Sequence, residues 1–314
     1  MESLGNFGSI IFSAASLGVL WGVMALGVYI TFRILDIADL SVEGTFPLGA
    51  AMTAKIISSG GDPFVACAAA IAAGACAGAV TGLLNTKLKI PILLSGILSM
   101  TALYSINLRV MGKANISLLR MDTIYTKLGN TFHIDKQYAG VAVGLLIVIL
   151  LTIILWWFFN TELGYSIRAT GNNIYMIRAM GVNTDNMILT GLIISNALVG
   201  MGGSIIAQYQ SYADIGMGTG TIVIGLASVI IGEVLFGKDS VLQNMISVIL
   251  GSIVYRIIIS LVLEIDFTLH IGKLEIPIAV EPTDLKLFTS ILVAFALSLP
   301  IIKQAINNKK AIKA

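Results

Sequence analysis

Nine apolar stretches, each close to the length a helix needs to cross a bilayer, constrain this chain more than anything else in it. They are Ser9–Phe32, Leu40–Ile57, Phe64–Leu84, Ile92–Met111, Val141–Phe159, Met187–Gln208, Thr219–Phe236, Val241–Leu263 and Leu287–Ile306. About 20 apolar residues span the hydrocarbon core as a helix, because lipid offers no partner to an open backbone N–H or C=O. The second and seventh stretches are short and rich in glycine, which predicts broken or re-entrant segments. Composition agrees: 57% of residues are hydrophobic and 11% charged, where soluble domains carry roughly 25% charged residues. The predicted fold is all-α, a single polytopic membrane domain over residues 1–314 with about nine transmembrane helices. Heptads, low-complexity tracts and a separate soluble domain are not seen in the sequence.

Orientation follows from Lys and Arg, which favour the cytoplasmic side. An N-terminus outside and a C-terminus inside put Arg33, Lys87, Lys89, Arg168, Arg178, Lys238 and the basic tail Lys303–Lys313 in the cytoplasm. The outer loop Tyr209–Gly218 then has no basic residue, and Glu264–Lys286 is mainly acidic. The loop Gly112–Tyr138 opposes this arrangement with Lys113, Arg120, Lys127 and Lys136. The first basic residue, Arg33, follows the first apolar run, so that run reads as a span and not as a cleaved signal.

The net charge of +2 and the lack of a basic patch interleaved with aromatics argue against nucleic acid as a partner. His133 and His270 make no ligand-like spacing, and neither HExxH nor GxSxG occurs, so no metal, cofactor or catalytic set is expected. The run Gly232–Lys238 fits the first seven places of a P-loop. Asp239 stands where Ser or Thr should meet magnesium, and the run ends an apolar segment instead of following a buried strand. Cys67 and Cys76 fall on opposite faces of one Ala-rich span and read as small packing residues, as do Gly74 and Gly78 beside them.

Three groups of polar residues invite a functional reading. The stretch Thr161–Asp185, TELGYSIRATGNNIYMIRAMGVNTD, lies between two spans. Asn172 and Asn173 are placed to cap a short helix from about Ile174 to Met180, and Gly181 to end it. Ile174, Ile177 and Gly181 share a face of it, with Arg168 and Arg178 nearby. It is either an ordinary basic loop or a rigid surface helix that a partner can push. In the second span, Glu43 sits in LSVEGTFPLGA with Ser41, Thr45, Phe46 and the helix-breaking Pro47. Either this is the edge of a translocation path, or Glu43 is paired near the inner interface with Arg33 or a neighbour. The fourth span carries Ser95, Ser99, Thr101, Tyr104, Ser105 and Asn107, which line a wet cavity or bond within the bundle. Arg256, inside the eighth span, needs a partner such as Glu233, Glu264 or a lipid phosphate.

The run LGYSIRATGNNIYMIRAMGVNTDNMILTGLIISNALVGMGGSI, Leu163–Ile205, resembles the cytoplasmic loop and following span of the bacterial ABC importer permeases of the branched-chain amino acid and ribose type. Gly218–Lys238 resembles that family's continuation. DLSVEGTFPLGA looks closest to a subgroup associated with aromatic amino acid uptake. Glu233 departs from the small residue the family often has there. The resemblance implies a permease subunit in the bacterial cytoplasmic membrane, paired with a second copy, an ABC ATPase in two copies and an extracytoplasmic substrate-binding protein. It assigns Arg168, Gly171, Asn172, Asn173, Ile174, Ile177, Arg178 and Gly181, within the loop 160–186, to a coupling helix. Ser41, Glu43, Thr45, Phe46, Ser95 and Ser99 remain the candidates for the path. Hydrolysis would belong to the partner chain. Amino acids, aromatic or branched-chain, are the expected substrates, with a sugar or nucleoside importer, or a stand-alone secondary transporter or channel, as the alternatives.

Overall fold

The computed structural model describes residues 2–132, 136–237, 239–263, 266–271, 274–279, 287–291, 294 and 298. In chain order its helices are α1 Glu2–Tyr29, α2 Val42–Ser58, α3 Pro63–Thr86, α4 Ile92–Met111, α5 Ile124–Phe132, α6 Lys136–Phe159, α7 Glu162–Asn172, α8 Ile174–Ala179, α9 Thr184–Gln210, α10 Thr221–Phe236 and α11 Val241–Leu263. A π-turn, Ile30–Ile34, continues α1, and a 3₁₀ turn, Ile215–Gly218, leads into α10. Two short antiparallel ribbons depart from the all-α expectation. They pair β1 Asn115–Ser117 with β2 Tyr212–Asp214, and β3 Asp266–Ile271 with β4 Leu274–Ala279.

Among the described residues, seven helical segments are long and apolar enough to cross a membrane: Gly8–Ile34, Pro63–Thr86, Ile92–Met111, Gly140–Phe159, Thr184–Gln210, Ile215–Phe236 and Val241–Leu263. The expected second span is the 17-residue α2, too short to cross unaided. Most of the expected ninth span, Leu287–Ile306, lies outside the described residues, as do His133, Lys238 and the basic tail.

Helix α9 is the centre of the bundle, with α1, α2 and α3 packed around it. Small residues permit this. A Cβ on Gly74 would stand 2.3 Å from the Asn196 carbonyl oxygen, and one on Gly78 2.3 Å from that of Leu192. In lipid the drive for helix association is close packing, so the GxxxG spacing does what its composition promised. Helix α6 is apolar all round and leaves Leu146, Ile149, Leu150 and Trp157 exposed, as a lipid-facing helix should.

The two ends of the bundle are chemically distinct. At one end the β1–β2 ribbon ties the loop after α4 to the loop after α9, and Lys127 pairs with Asp62 at 2.5 Å. The Lys127 hydrogen bond holds the Asp62 carboxyl below the usual carboxylate range. One of the four cations that opposed the assigned orientation is therefore offset locally. At the other end lie α7, α8, the Arg33–Glu233 pair, and Asp185 bound by Lys89 at 2.6 Å and Arg178 at 3.2 Å.

Several side chains find partners other than those expected. Arg33 makes a bidentate pair with Glu233, so Glu43 is not its partner. Arg256 lies over the Trp21 ring, 4.1 Å from its centroid, a cation–π contact in place of the carboxylate Glu233. Residues 232–236 are plain helix, closed by a Gly237 N–H bond to the Glu233 carbonyl. A phosphate-binding loop is an open turn after a strand, so this run has the wrong shape as well as the wrong eighth residue.

Candidate functional site

Helix α2 does not begin at the membrane surface. Residues 35–41 climb into the bundle as irregular chain and reach Asn196, the thirteenth residue of the 27-residue α9. That is about 18 Å along the axis from Thr184, at about 1.5 Å per residue, which is mid-depth. Irregular backbone at that depth must find partners inside the protein, and it does. Asn196 donates through Nδ2 to Asp39 Oδ2 at 2.9 Å and accepts through Oδ1 from Ser41 at 3.2 Å and Thr45 at 2.7 Å. The Ser41 N–H donates to Asp39 Oδ1 at 2.9 Å. All four residues are buried. Neither Asp39 nor Asn196 was singled out in the sequence, although a lone Asn in an apolar run is a signal of this kind.

Helix α10 also begins at this depth. The Gly220 N–H, at its N-cap, donates to Glu43 Oε1 at 3.0 Å. Gly218 lies so close that a Cβ would stand 2.0 Å from the Glu43 carbonyl oxygen. The two short spans thus meet head to head. The Glu43 carboxylate sits at the N-terminal ends of both helices, where the helix dipole is positive. This is the discontinuous-helix arrangement that transport proteins place at the membrane midplane.

A cavity of about 410 Å³ opens beside this junction, lined by Glu43, Thr101, Tyr104, Ser105, Asn107 and Thr219 among others. Of the residues expected along a path, only Glu43 reaches it. Ser41 and Thr45 belong to the Asn196 network. Phe46 is fully buried, stacked on Trp21 at 5.1 Å between centroids. Ser95 donates back to its own helix start at 3.3 Å, and Ser99 accepts from Thr81 at 2.7 Å. The polar residues of α4 divide by face. Ser95, Ser99 and Asn107 lie on its buried stripe, whereas Thr101, Tyr104 and Ser105 are exposed toward the cavity. On its other flank α4 bounds a wholly apolar groove with Ala73, Cys76, Val80, Ala102 and Ile106.

The polar stretch at the other end folds into two helices, α7 and α8, where one had been expected. The Thr161 side chain caps α7 and the Asn173 side chain caps α8, accepting from the Met176 N–H at 3.0 Å. Asn172 is the last residue of α7 and caps nothing. The end of α8 is a complete Schellman motif: Gly181 N–H bonds to the Arg178 carbonyl at 3.1 Å and Val182 N–H to the Ile177 carbonyl at 3.3 Å. Gly181, at φ 87°, supplies the left-handed turn this motif needs.

The faces of α8 are reversed from expectation. Ile177 is buried and Ile174 half-buried, so they anchor the helix to its own chain. The outward residues are Tyr175, 81% exposed, with Met176 and Met180. Arg178 is held by Thr184 and Asp185. Arg168 turns toward a polar cavity of about 300 Å³ with Tyr29, Arg33, Glu233, Asp239 and Asn244. Gly171 sits against the π-turn, where a Cβ would be 2.0 Å from the Ile34 carbonyl oxygen. Helices α7 and α8 are thus fixed to the end of α1 and present an apolar, aromatic face outward.

A helical bundle with two spans interrupted at mid-depth, a polar cavity at the interruption and a rigid surface helix at one end is the architecture of a membrane transport subunit. The comparisons place it more closely. The chain belongs to the family described as branched-chain amino acid transport system / permease component, which matches residues 10–298. It is 39% identical over 283 residues to the tyrosine transport system permease protein of Clostridioides difficile, covering 90% of this chain and 88% of that one. An uncharacterized protein of Rickettsia prowazekii is 33% identical over 279 residues, 88% of this chain and 92% of its own. An inner membrane ABC transporter permease of Escherichia coli is 27% identical over 238 residues, 74% and 70% of the two chains. A solved ABC transporter in an inward-facing conformation aligns over 94% of this chain and 85% of its own, with TM-score 0.49 and 16% identity. On the family match and these sequence relatives, the chain is a multi-pass permease subunit of an ABC transporter.

Proposed function

We propose that this permease imports an amino acid, an aromatic one such as tyrosine, across the bacterial cytoplasmic membrane. A second copy completes the path, an extracytoplasmic binding protein delivers the cargo, and a separate two-copy ATPase drives the cycle. The cargo is suggested by the name of the 39% identical relative. The N-terminus lies outside, with α7 and α8 in the cytoplasm at the Arg33–Glu233 end.

The observation that carries the coupling role is α8 itself. A six-residue helix has little stability of its own, yet this one is capped at both ends, anchored by Ile177 and packed through α7 onto the π-turn. Its outward Tyr175, Met176 and Met180 are the residue types that anchor protein interfaces. A push on α8 would pass through Gly171 to Ile34, next to the Arg33–Glu233 pair that joins α1 to α10. The states of the cycle must differ in their affinity for the ATPase, because a partner that binds both equally shifts neither.

The test is photo-crosslinking. A benzophenone amino acid at Tyr175 is expected to capture the ATPase in membranes carrying the whole transporter. The same group at Leu119, beside the β1–β2 ribbon, should not. Capture from Leu119 but not from Tyr175 would reverse the assignment of ends.

A further inference from the structure

The hairpin of α3 and α4 carries two features that fit one molecule. At its tip, three cations gather about one carboxylate. Lys89 and Arg178 bond Asp185 at 2.6 and 3.2 Å, and Lys87 lies within electrostatic reach of it. Among the described residues none of the three pairs with a second carboxylate, so positive charge is left over. All three cations are exposed. Leu88, between two of them, is 65% exposed, and Leu93 and Leu94 at the start of α4 are exposed as well. Surplus cations beside outward-turned leucines are what a protein offers to an anionic headgroup at a membrane interface.

The apolar groove between α3 and α4, about 310 Å³, continues from this tip. At about 1.5 Å per residue, Val80 lies roughly 10 Å and Ala73 roughly 20 Å along α3 from Lys87. One leaflet of the hydrocarbon core is about 15 Å deep, half of about 30 Å. The groove therefore lies where an acyl chain hangs from a headgroup held at the tip. Alanines keep it open, with Val80 and Ile106 exposed at its rim. Its Ser99 hydroxyl is bonded to Thr81 at 2.7 Å, which leaves the lining to hydrocarbon.

We propose that this hairpin holds one anionic phospholipid, its phosphate on Lys87 and Lys89 and one acyl chain in the groove. A neutral lipid fills the groove without answering the cations, and a soluble phosphate answers the cations without filling the groove. The inference depends neither on the cargo nor on the role of α8.

Native mass spectrometry of the purified full chain, stripped of lipid in detergent, tests it. Phosphatidylglycerol and phosphatidylcholine with identical chains are titrated in. The first phosphatidylglycerol is expected to be retained at about tenfold lower concentration, as two lysines beside a phosphate would cause. Lys87→Gln, which breaks no ion pair of the fold, should cut that preference severalfold, and adding Lys89→Gln should abolish it. Ala102→Trp, which fills the groove from its open side, should weaken retention of both lipids. Glycerol 3-phosphate should not compete. Equal retention of the two lipids by the unmodified chain, or a preference that survives both lysine substitutions, would overturn the headgroup site. Retention unchanged by Ala102→Trp, or competition by glycerol 3-phosphate, would overturn the acyl groove. Lipid bound by the monomer and excluded from the dimer would mean that a second copy covers the groove, and the proposal would fail.

Discussion

Asn196 ties three chain segments together at mid-depth. It is fully buried, and its amide joins α9 to the start of α2 through Asp39, Ser41 and Thr45. Replacing it with alanine leaves a buried carboxylate and two hydroxyls short of partners, a loss of about 2 kcal/mol or more. Asn196→Ala should lower the midpoint of thermal unfolding in detergent by several degrees. Ser95→Ala, whose hydroxyl donates weakly to the Ile90 and Pro91 carbonyls just before its own helix, should shift it by less than about 1 kcal/mol equivalent. Equal shifts for the two would contradict the network. A second prediction concerns Arg33 and Glu233. The Glu233 side chain is 6% exposed and that of Arg33 is 40% exposed, so removing the arginine strands a mostly buried carboxylate. A double-mutant cycle of Arg33→Met and Glu233→Gln should show coupling of about 1–2 kcal/mol, discounted for the solvent around Arg33. Additive effects would mean that the pair holds nothing together. The partner of Glu233 was not readable from the sequence because 200 residues separate the two.

At the scale of elements, the breaks in the second and seventh spans were legible. The glycines of both spans forecast short helices, but Pro47 does not break α2, which runs through it from Val42 to Ser58; the interruption lies before it, at residues 35–41. That the two breaks meet was not legible, since no local pattern records which helix starts touch. The β1–β2 ribbon left no trace either, because three residues per strand are too few for a period to appear. The polar stretch Thr161–Asp185 was legible as capped helix, and Gly181 did its forecast job. Which face of α8 looks outward depended on how α7 packs, so the buried anchor Ile177 had been grouped with the docking residues. Gly181→Val should therefore strain the Schellman turn at φ 87° by about 1–2 kcal/mol and reduce coupling by distorting α8. Limited proteolysis at residues 180–183 would report that distortion, and unchanged cleavage would argue against it.

For the whole molecule, three surfaces differ in chemistry. Apolar α6 exposes Leu146, Ile149, Leu150 and Trp157, the Glu43 cavity is the proposed path, and the outward face of α8 is the proposed contact with the ATPase. The chain should bind no nucleotide by itself, because Gly232–Phe236 is helical and Asp239 replaces the magnesium-binding hydroxyl. Equilibrium dialysis of the purified chain with ATP is expected to show no retention, and micromolar binding would reopen that run.

The central claim is that energy enters through the exposed face of α8, and substrate-stimulated ATP hydrolysis by the assembled transporter tests it most directly. Tyr175→Asp with Met180→Asp should leave the complex folded in the membrane and cut stimulated turnover at least about tenfold, the size expected when interface anchors worth roughly 2 kcal/mol are lost. Stimulated turnover equal to the unmodified transporter's, with the chain present in normal amount, would contradict it.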